Sequence, residues 1–473
     1  MLGYTAQNIP VRLEGPARVK ANRLHVGYKI GLILMPIVII IGELMWVIDP
    51  LRLPGDLFLI DYIHILISLS SVIPFLWTVA ALISWRSVLN RWIALIRGIV
   101  IVSSMVAGIT ILTAPKQYWM LGTSLVLSFV TVLIDLISAE YIRRRTFPGR
   151  SVLWTAGSVI CLAILICPTP YLVTYPGITM NMNRYAQVAD GEPHGQIAGV
   201  LIFERPAFPV DWLYARLFPN YEFSRTEDLG MSLGEYSQVV RVMKQDANRV
   251  AAAIGLERAG IGQGAMYLGV FVGAIVKDSP AEGILEPGDI IVQVNEQQVR
   301  RIEELQQIMQ SVKPGEIVRV KVQRDGGKLQ LQLVTAPSDS NPERAVIGIQ
   351  ISDYIEFDVP REVEFTEYLL HEGGPSHGAM LALTIIDQLT PDGVTNGNRV
   401  AGTGTIRADG SVGEIGGIRQ KAFTVARSGA DVFFVPSGQE EEARLGAENL
   451  NIVPVRTIDE ILEWLKAHPK RAK

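Results

Sequence analysis

Five long apolar runs crowd the first part of this 473-residue chain, at 30–48, 57–84, 93–113, 118–138 and 152–173. About 20 apolar residues wound as a helix span the roughly 30 Å hydrocarbon core of a bilayer. In lipid a helix also satisfies its own backbone polar groups, which an open loop does not. The runs therefore predict a transmembrane region of five helices over residues 1–173, with membrane lipid as its surroundings. Trp46, Trp85, Trp92 and Trp119 stand near run ends, where aromatic belts form. Orientation follows from the basic residues. Arg12, Arg18, Lys20, Arg23 and Lys29 precede the first run, Arg86 and Arg91 lie in the second loop, and Arg143, Arg144, Arg145 and Arg150 in the fourth. The first and third loops carry only Arg52 and Lys116. This asymmetry predicts a multi-pass cell-membrane protein with a cytoplasmic N-terminus and everything beyond residue 173 outside the cytoplasm. Glu43, Asp61 and His64 fall toward outer helix ends, where polar side chains reach water or line a cavity.

Composition narrows the rest. Mean hydropathy is +0.27 although 19% of residues are charged, because the apolar excess is confined to the first 175 residues. The net charge of −4 gives no basic face for nucleic acid. The two cysteines, Cys161 and Cys167, both lie in the fifth run, so no disulfide framework is available to the exported part. The segment before residue 30 is too polar for a cleaved signal peptide, and the first run is expected to be retained.

Between 174 and 262 the pattern reads as a juxtamembrane linker region. It has a strand candidate at 197–203 and five aromatics at Trp212, Tyr214, Phe218, Tyr221 and Phe223. Ser232-x-x-Glu235 then forms a capping box. It opens a helix whose apolar face runs through Tyr236, Val239, Val240, Met243, Ala247, Val250, Ala251 and Ile254 to Gly255. That helix is expected to act as a spacer.

The chemistry is concentrated between His371 and Lys421. Ser376 follows Gly373-Gly374-Pro375 and opens an apolar run containing Met380, Leu381, Leu383, Ile385 and Ile386. A serine at the start of a helix sits among backbone N–H groups that favour a developing oxyanion. Those donors are expected at Gly374 and Ser376, since Pro375 has none. Gly416-Gly417 starts a second helix with Lys421 in its early turns. A serine and a lysine brought together can serve as nucleophile and general base. A free lysine titrates near about 10.4 and is a poor base at neutral pH, but burial can lower it to roughly 7–8. Ile415, Ile418, Ala422 and Val425 suit such burial, and Thr403 offers a hydroxyl to orient the amine. Strands expected at 346–351, 362–368, 399–407, 432–435 and 452–455 alternate with helices near Ser376, Gly417, Gln439 and Ile458, which predicts an α/β domain with a mixed sheet. His371-Glu372 begins a HExxH zinc motif, but Pro375 stands where the second histidine is required. No metal and no cofactor is expected. No GxxxxGK[ST] loop occurs, so ATP is not an expected partner.

Two resemblances follow from these residues. Tyr267-Leu268-Gly269-Val270, then Ser279-Pro280-Ala281, then Pro287-Gly288-Asp289-Ile290-Ile291 and Val294-Asn295, resemble a β-rich PDZ domain over 263–340. This resemblance implies either peptide binding at Leu268, Gly269 and Val270 or a gate or spacer that controls access to Ser376. Gly374-Pro375-Ser376-x-Gly378, then Thr403-Gly404, then Gly416-Gly417-Ile418-x-x-Lys421, resemble the proteolytic domain of Lon-type peptidases over 345–468. That resemblance implies Ser376 as nucleophile, Lys421 as base and Thr403 as the residue that holds the lysine. Many such domains carry an acidic residue where this chain has Gly373, and a small one where it has His377. Together with the membrane anchor, the pattern is similar to exported PDZ–Lon-type serine proteases of Gram-positive bacteria. It implies an ATP-independent endopeptidase cleaving exported peptides or unfolded proteins. The competing expectation is a catalytically inactive PDZ-type scaffold of the cell envelope.

Overall fold

The computed structural model describes residues 16–48, 59–85, 91–338, 341–366 and 374–470. Six helices open the chain: α1 (Pro16–Ile48), α2 (Ile63–Ser70), α3 (Val72–Trp85), α4 (Arg91–Thr113), α5 (Tyr118–Arg144) and α6 (Gly149–Ile166). With α2 and α3 forming one span, the described residues hold five segments long and apolar enough to cross a membrane. Their shared core is built on Tyr28, Leu32, Trp77, Val100, Val132 and Leu136. A charged cluster lies inside it. Arg97 Nε lies 3.1 Å from Asp135, Arg97 Nη1 donates to the Ser84 carbonyl, and the Tyr28 hydroxyl donates to Asp135. The fifth span is shorter than the run 152–173 expected of it. It ends at Ile166, and a strand starts at Tyr171, so Leu172 and Val173 are buried in a sheet.

Beyond the membrane come β1 (Tyr171–Asn181), the single turn α7 (Met182–Tyr185), β2 (Ala186–Val188), β3 (Gln196–Pro206), α8 (Asp211–Leu217), β4 (Glu222–Arg225) and α9 (Leu233–Arg258). A second set follows: β5 (Gly264–Ile275), β6 (Ile290–Val294), α10 (Ile302–Gln310), β7 (Ile317–Arg324), β8 (Gly327–Val334) and β9 (Ile349–Asp358). The last comprises β10 (Val363–Phe365), α11 (Gly378–Leu389), β11 (Arg399–Gly402), α12 (Ile418–Ala426), β12 (Val432–Pro436), α13 (Glu440–Gly446), β13 (Ile452–Val455) and α14 (Ile458–Ala467). The sequence-based strand at 362–368 is described only to residue 366, and His371, Glu372 and Gly373 lie outside the described residues.

The first and last sets share one sheet. Its order is β13-β12-β11-β3-β1-β4, with β3 parallel to β11 in register Val400↔Ile197 and antiparallel to β1. Region 174–262 is therefore not a linker. It supplies three strands of the catalytic sheet and the helix α9 that covers α11. Hydrophobic periodicity made α9 visible, but parallel pairing across some two hundred residues leaves no local signal. The capping box forms as expected, with Ser232 Oγ accepting from Glu235 N and the Glu235 carboxylate accepting from Ser232 N. The apolar face divides, however. Val239 and Met243 are exposed, while Ala247 and residues 251–256 are buried against α11. Gly255 permits the contact, since a Cβ there would lie 2.8 Å from Ile385 Cβ.

The middle set is thus an insertion between α9 and β10. Its sheet runs β9-β5-β6-β7-β8, all antiparallel. Val318, Val320 and Val322 alternate inward along β7 over a core with Val270, Ile291 and Leu305. Asp325 and Gly326, both at positive φ, turn β7 into β8. This sheet extends through Asp358, past the boundary at 340 expected from sequence, and takes in residues 349–358 that had been assigned to the catalytic domain. The placement of the peptide site also changes. Leu268, Gly269 and Val270 lie on β5, an interior strand, with Val270 in register with Asp353 of β9 on one side and Ile291 of β6 on the other. The edge strands are β9 and β8, and Asp353 of β9 accepts a hydrogen bond from Ile302 N at the start of α10.

The membrane helices grip the catalytic sheet directly. Trp46, near the C-terminal end of α1, is buried among Tyr175, Phe218 and Tyr221. Glu43 accepts from the Tyr175 hydroxyl and pairs with Arg205 of β3, whose guanidinium also binds Asp211. Glu43 is therefore a docking residue, and the aromatics near residue 220 pack rather than float. His64 is exposed; the side chain of Asp61 lies outside the described residues.

Candidate active site

The Ser376 turn is positioned by what surrounds it. Pro375–His377 form a single 3-10 turn, with Pro375 at the first position, where its missing N–H leaves nothing unsatisfied. Gly378 then begins α11 against Ile406; a Cβ at Gly378 would sit 3.0 Å from Ile406 N. This contact requires the glycine of the GPSxG pattern. The Ser376 carbonyl accepts from Gly404 N at 2.8 Å and from the Thr403 hydroxyl at 3.0 Å, which ties the turn to the loop after β11.

Lys421 reaches the same point from α12. Gly417 caps this helix at φ +66, a left-handed conformation suited to glycine, and Lys421 N donates to its carbonyl. The Lys421 side chain is buried, with Nζ 2.8 Å from Ser376 Oγ and 3.0 Å from Thr403 Oγ1. The directions are fixed by elimination. The Thr403 hydroxyl donates to a carbonyl, so its lone pairs face Lys421 and it accepts an amine hydrogen. A neutral amine then has its lone pair left for the Ser376 hydroxyl. Burial removes the water that would solvate an ammonium, and it lowers the Lys421 pKa from 10.5 to about 7. Among the described residues no carboxylate is paired with this amine.

Ser376, Lys421 and Thr403 are thus brought together, with Gly374 beside them. Leu268, Gly269 and Val270 are elsewhere, in the inserted sheet. Sequence reasoning set His377 aside as a neighbour of the nucleophile and did not find Asn248. His377 is buried, with Nδ1 2.7 Å from the Gly374 carbonyl and Nε2 2.8 Å from the Asn248 side chain of α9. The available signal was an asparagine among the alanines of the buried half of α9. Among the described residues no group of His, Cys, Asp or Glu is arranged to hold a metal ion.

Comparison with known proteins agrees with this architecture. Residues 347–467 match the family model of the Lon protease (S16) C-terminal proteolytic domain, and residues 271–324 match that of the PDZ domain. The Lon protease of Rickettsia bellii is 29% identical over 142 residues, covering 29% of this chain and 18% of that protein. The Lon protease of Aster yellows witches'-broom phytoplasma is 30% identical over 122 residues, covering 24% of this chain and 14% of that protein. The chain thus spans less than a fifth of the length of these relatives. The crystal structure of the PDZ domain of an SdrC-like protein from Listeria innocua is 26% identical, covers 18% of this chain and 92% of that one, and gives a TM-score of 0.17. The class is that of serine-type peptidases with a Lon-type proteolytic domain. The chain thus joins a segment similar to this domain to one similar to a PDZ domain and, among the described residues, to an N-terminal set of five apolar helices.

Proposed function

We propose that this chain is a membrane-anchored, ATP-independent serine endopeptidase with a Ser-Lys dyad, acting on peptides or unfolded proteins outside the cytoplasm. One observation carries it: a buried lysine, with no carboxylate partner among the described residues, lies 2.8 Å from the hydroxyl of a serine at a helix start. Neutral Lys421 takes the proton of the Ser376 hydroxyl as Oγ bonds to the scissile carbonyl carbon. The carbonyl oxygen becomes an oxyanion that accepts from N–H groups at Gly374 and Ser376. The Lys421 ammonium returns its proton to the leaving amine, the C–N bond breaks, and an acyl-enzyme remains. Water, deprotonated by the again neutral amine, then attacks the ester and releases Ser376. Thr403 keeps the amine aimed through this cycle.

The excess of basic residues in the loops assigned to the cytoplasm supports the outward placement. Extended substrate adds to the open edge of β9 beside α10. The decisive experiment compares peptides released by cells carrying the wild-type chain and Ser376→Ala; a set of peptides missing from the variant is expected, and identical sets would defeat the reading. For orientation, single cysteines at Asp325 and at Arg144, in a chain lacking Cys161 and Cys167, are treated with an impermeant thiol reagent. Labelling at 325 only is expected, whereas labelling at 144 only would invert the topology.

A further inference from the structure

Outside the dyad, the most constrained polar group near the nucleophile is the imidazole of His377. We propose that His377 is a positioning residue that, with Asn248 and Tyr185, holds the Gly374–Pro375 peptide in the orientation Ser376 needs for acylation. The inference rests on the peptidase reading above.

The hydrogen-bond directions leave one consistent arrangement. The Gly374 carbonyl can only accept, so Nδ1 carries the hydrogen at this 2.7 Å contact. A neutral ring then accepts at Nε2, so the Asn248 carboxamide must turn its N–H2 toward the ring and its oxygen toward the Tyr185 hydroxyl. That hydroxyl lies 3.0–3.2 Å from the two polar atoms of the Asn248 amide. Burial supports the neutral form, holding the His377 pKa at about 4, with Lys244 and Lys421 adding repulsion. Tyr185 also packs edge-on to the ring at 5.2 Å, and Lys244 lies over the opposite partner of the pair, the Tyr185 ring.

Both ring nitrogens are thus committed away from Ser376 Oγ, which excludes His377 as the base. What they hold is the carbonyl of the peptide just before Pro375. Pro375 has no N–H with which to anchor that peptide itself. The chain of bonds also ties α9, which leads into the inserted domain, to the turn that carries Ser376.

The test uses the full-length protein in lipid nanodiscs, with a fluorophosphonate that phosphonylates reactive serines and with a short peptide substrate. His377→Asn keeps an N–H near the Nδ1 position, while His377→Phe keeps the ring volume but no donor. Phe is expected to lose about 30–100-fold in both labelling rate and kcat, with KM changed by less than about threefold. Asn is expected to recover to within about fivefold of wild type, and both keep a pH midpoint near 7, since Lys421 is untouched. Asn248→Leu should cost about tenfold, and adding it to His377→Phe should cost nothing more, because the two act in one chain. A His377→Phe protein that labels at the wild-type rate, or a folded His377→Asn protein as slow as the Phe variant, overturns the proposal alone. A wild type that does not label overturns the peptidase reading and the proposal with it.

Discussion

Two buried cations, one in the membrane bundle and one in the catalytic domain, are treated in opposite ways. Arg97 lies inside the bundle with a carboxylate at 3.1 Å, a carbonyl on another nitrogen and a tyrosine completing the carboxylate's shell. Its Nε and Nη1 both have acceptors, which is how a permanent cation survives out of water. Lys421 is as deeply buried but has two hydroxyls as its amine partners. A guanidinium in that place would remain charged and be severely destabilising; an amine can lose its proton instead. The paired cation is a structural element, and the lysine, with no carboxylate partner among the described residues, is on the proposed reading held ready for proton transfer.

The comparison is broken most strongly at the nucleophile and base. Ser376→Ala, Lys421→Ala and Lys421→Arg are each expected to lower kcat on a short peptide by more than about 10³-fold, measured with the folded protein in nanodiscs. Lys421→Ala is the informative one, since it removes the base without placing a permanent charge in the pocket. Next comes the pair in the bundle. Asp135→Leu leaves Arg97 buried without its partner and is expected to destabilise by about 3–5 kcal/mol, while the double change with Arg97→Met restores most of that. Thermal unfolding of the three proteins in the same lipid checks it.

Lys421→Met is expected to act in the other direction on stability. The folded state holds this amine at about 7, below its unfolded value, so between pH 7 and about 10.4 the unfolded chain binds a proton that the folded one does not. Wild-type stability therefore rises with pH across that window. At pH 7 removing the amine should stabilise by roughly 3–4 kcal/mol, an advantage that shrinks toward pH 10. Denaturation of both proteins at pH 7 and pH 9.5 reads the difference. The smallest effect is at Thr403. Thr403→Val removes one amine partner and should cost about tenfold in kcat, leaving the pH midpoint within half a unit or so.

The site was more legible in the sequence than the domain that carries it. Gly374-Pro375-Ser376, Thr403 and Gly416-Gly417 with Lys421 are short patterns in which local backbone geometry dictates residue type, so they survive without knowledge of the rest. The catalytic sheet is not local. β3 pairs with β11 across the whole inserted domain, and nothing in 196–206 announces a partner at 399–402. The same limit applies to the expected peptide strand: Tyr267-Leu268-Gly269-Val270 has the right composition for a groove strand, but whether β5 is an edge or an interior strand is decided by Ile349–Asp358. Periodicity showed α9 as amphipathic, and it concealed Asn248, a polar residue whose significance depends on His377 over a hundred positions away.

The central claim is that an unpaired, buried lysine serves as the base, and its protonation can be read directly. The rate of Ser376 labelling by the fluorophosphonate is measured from pH 5 to pH 10 on wild type and on His377→Asn. Both are expected to rise through a single midpoint near pH 7 and level off above it. A midpoint near about 10, the value for an exposed lysine, or one that vanishes in His377→Asn while Lys421→Ala still labels, would contradict the account.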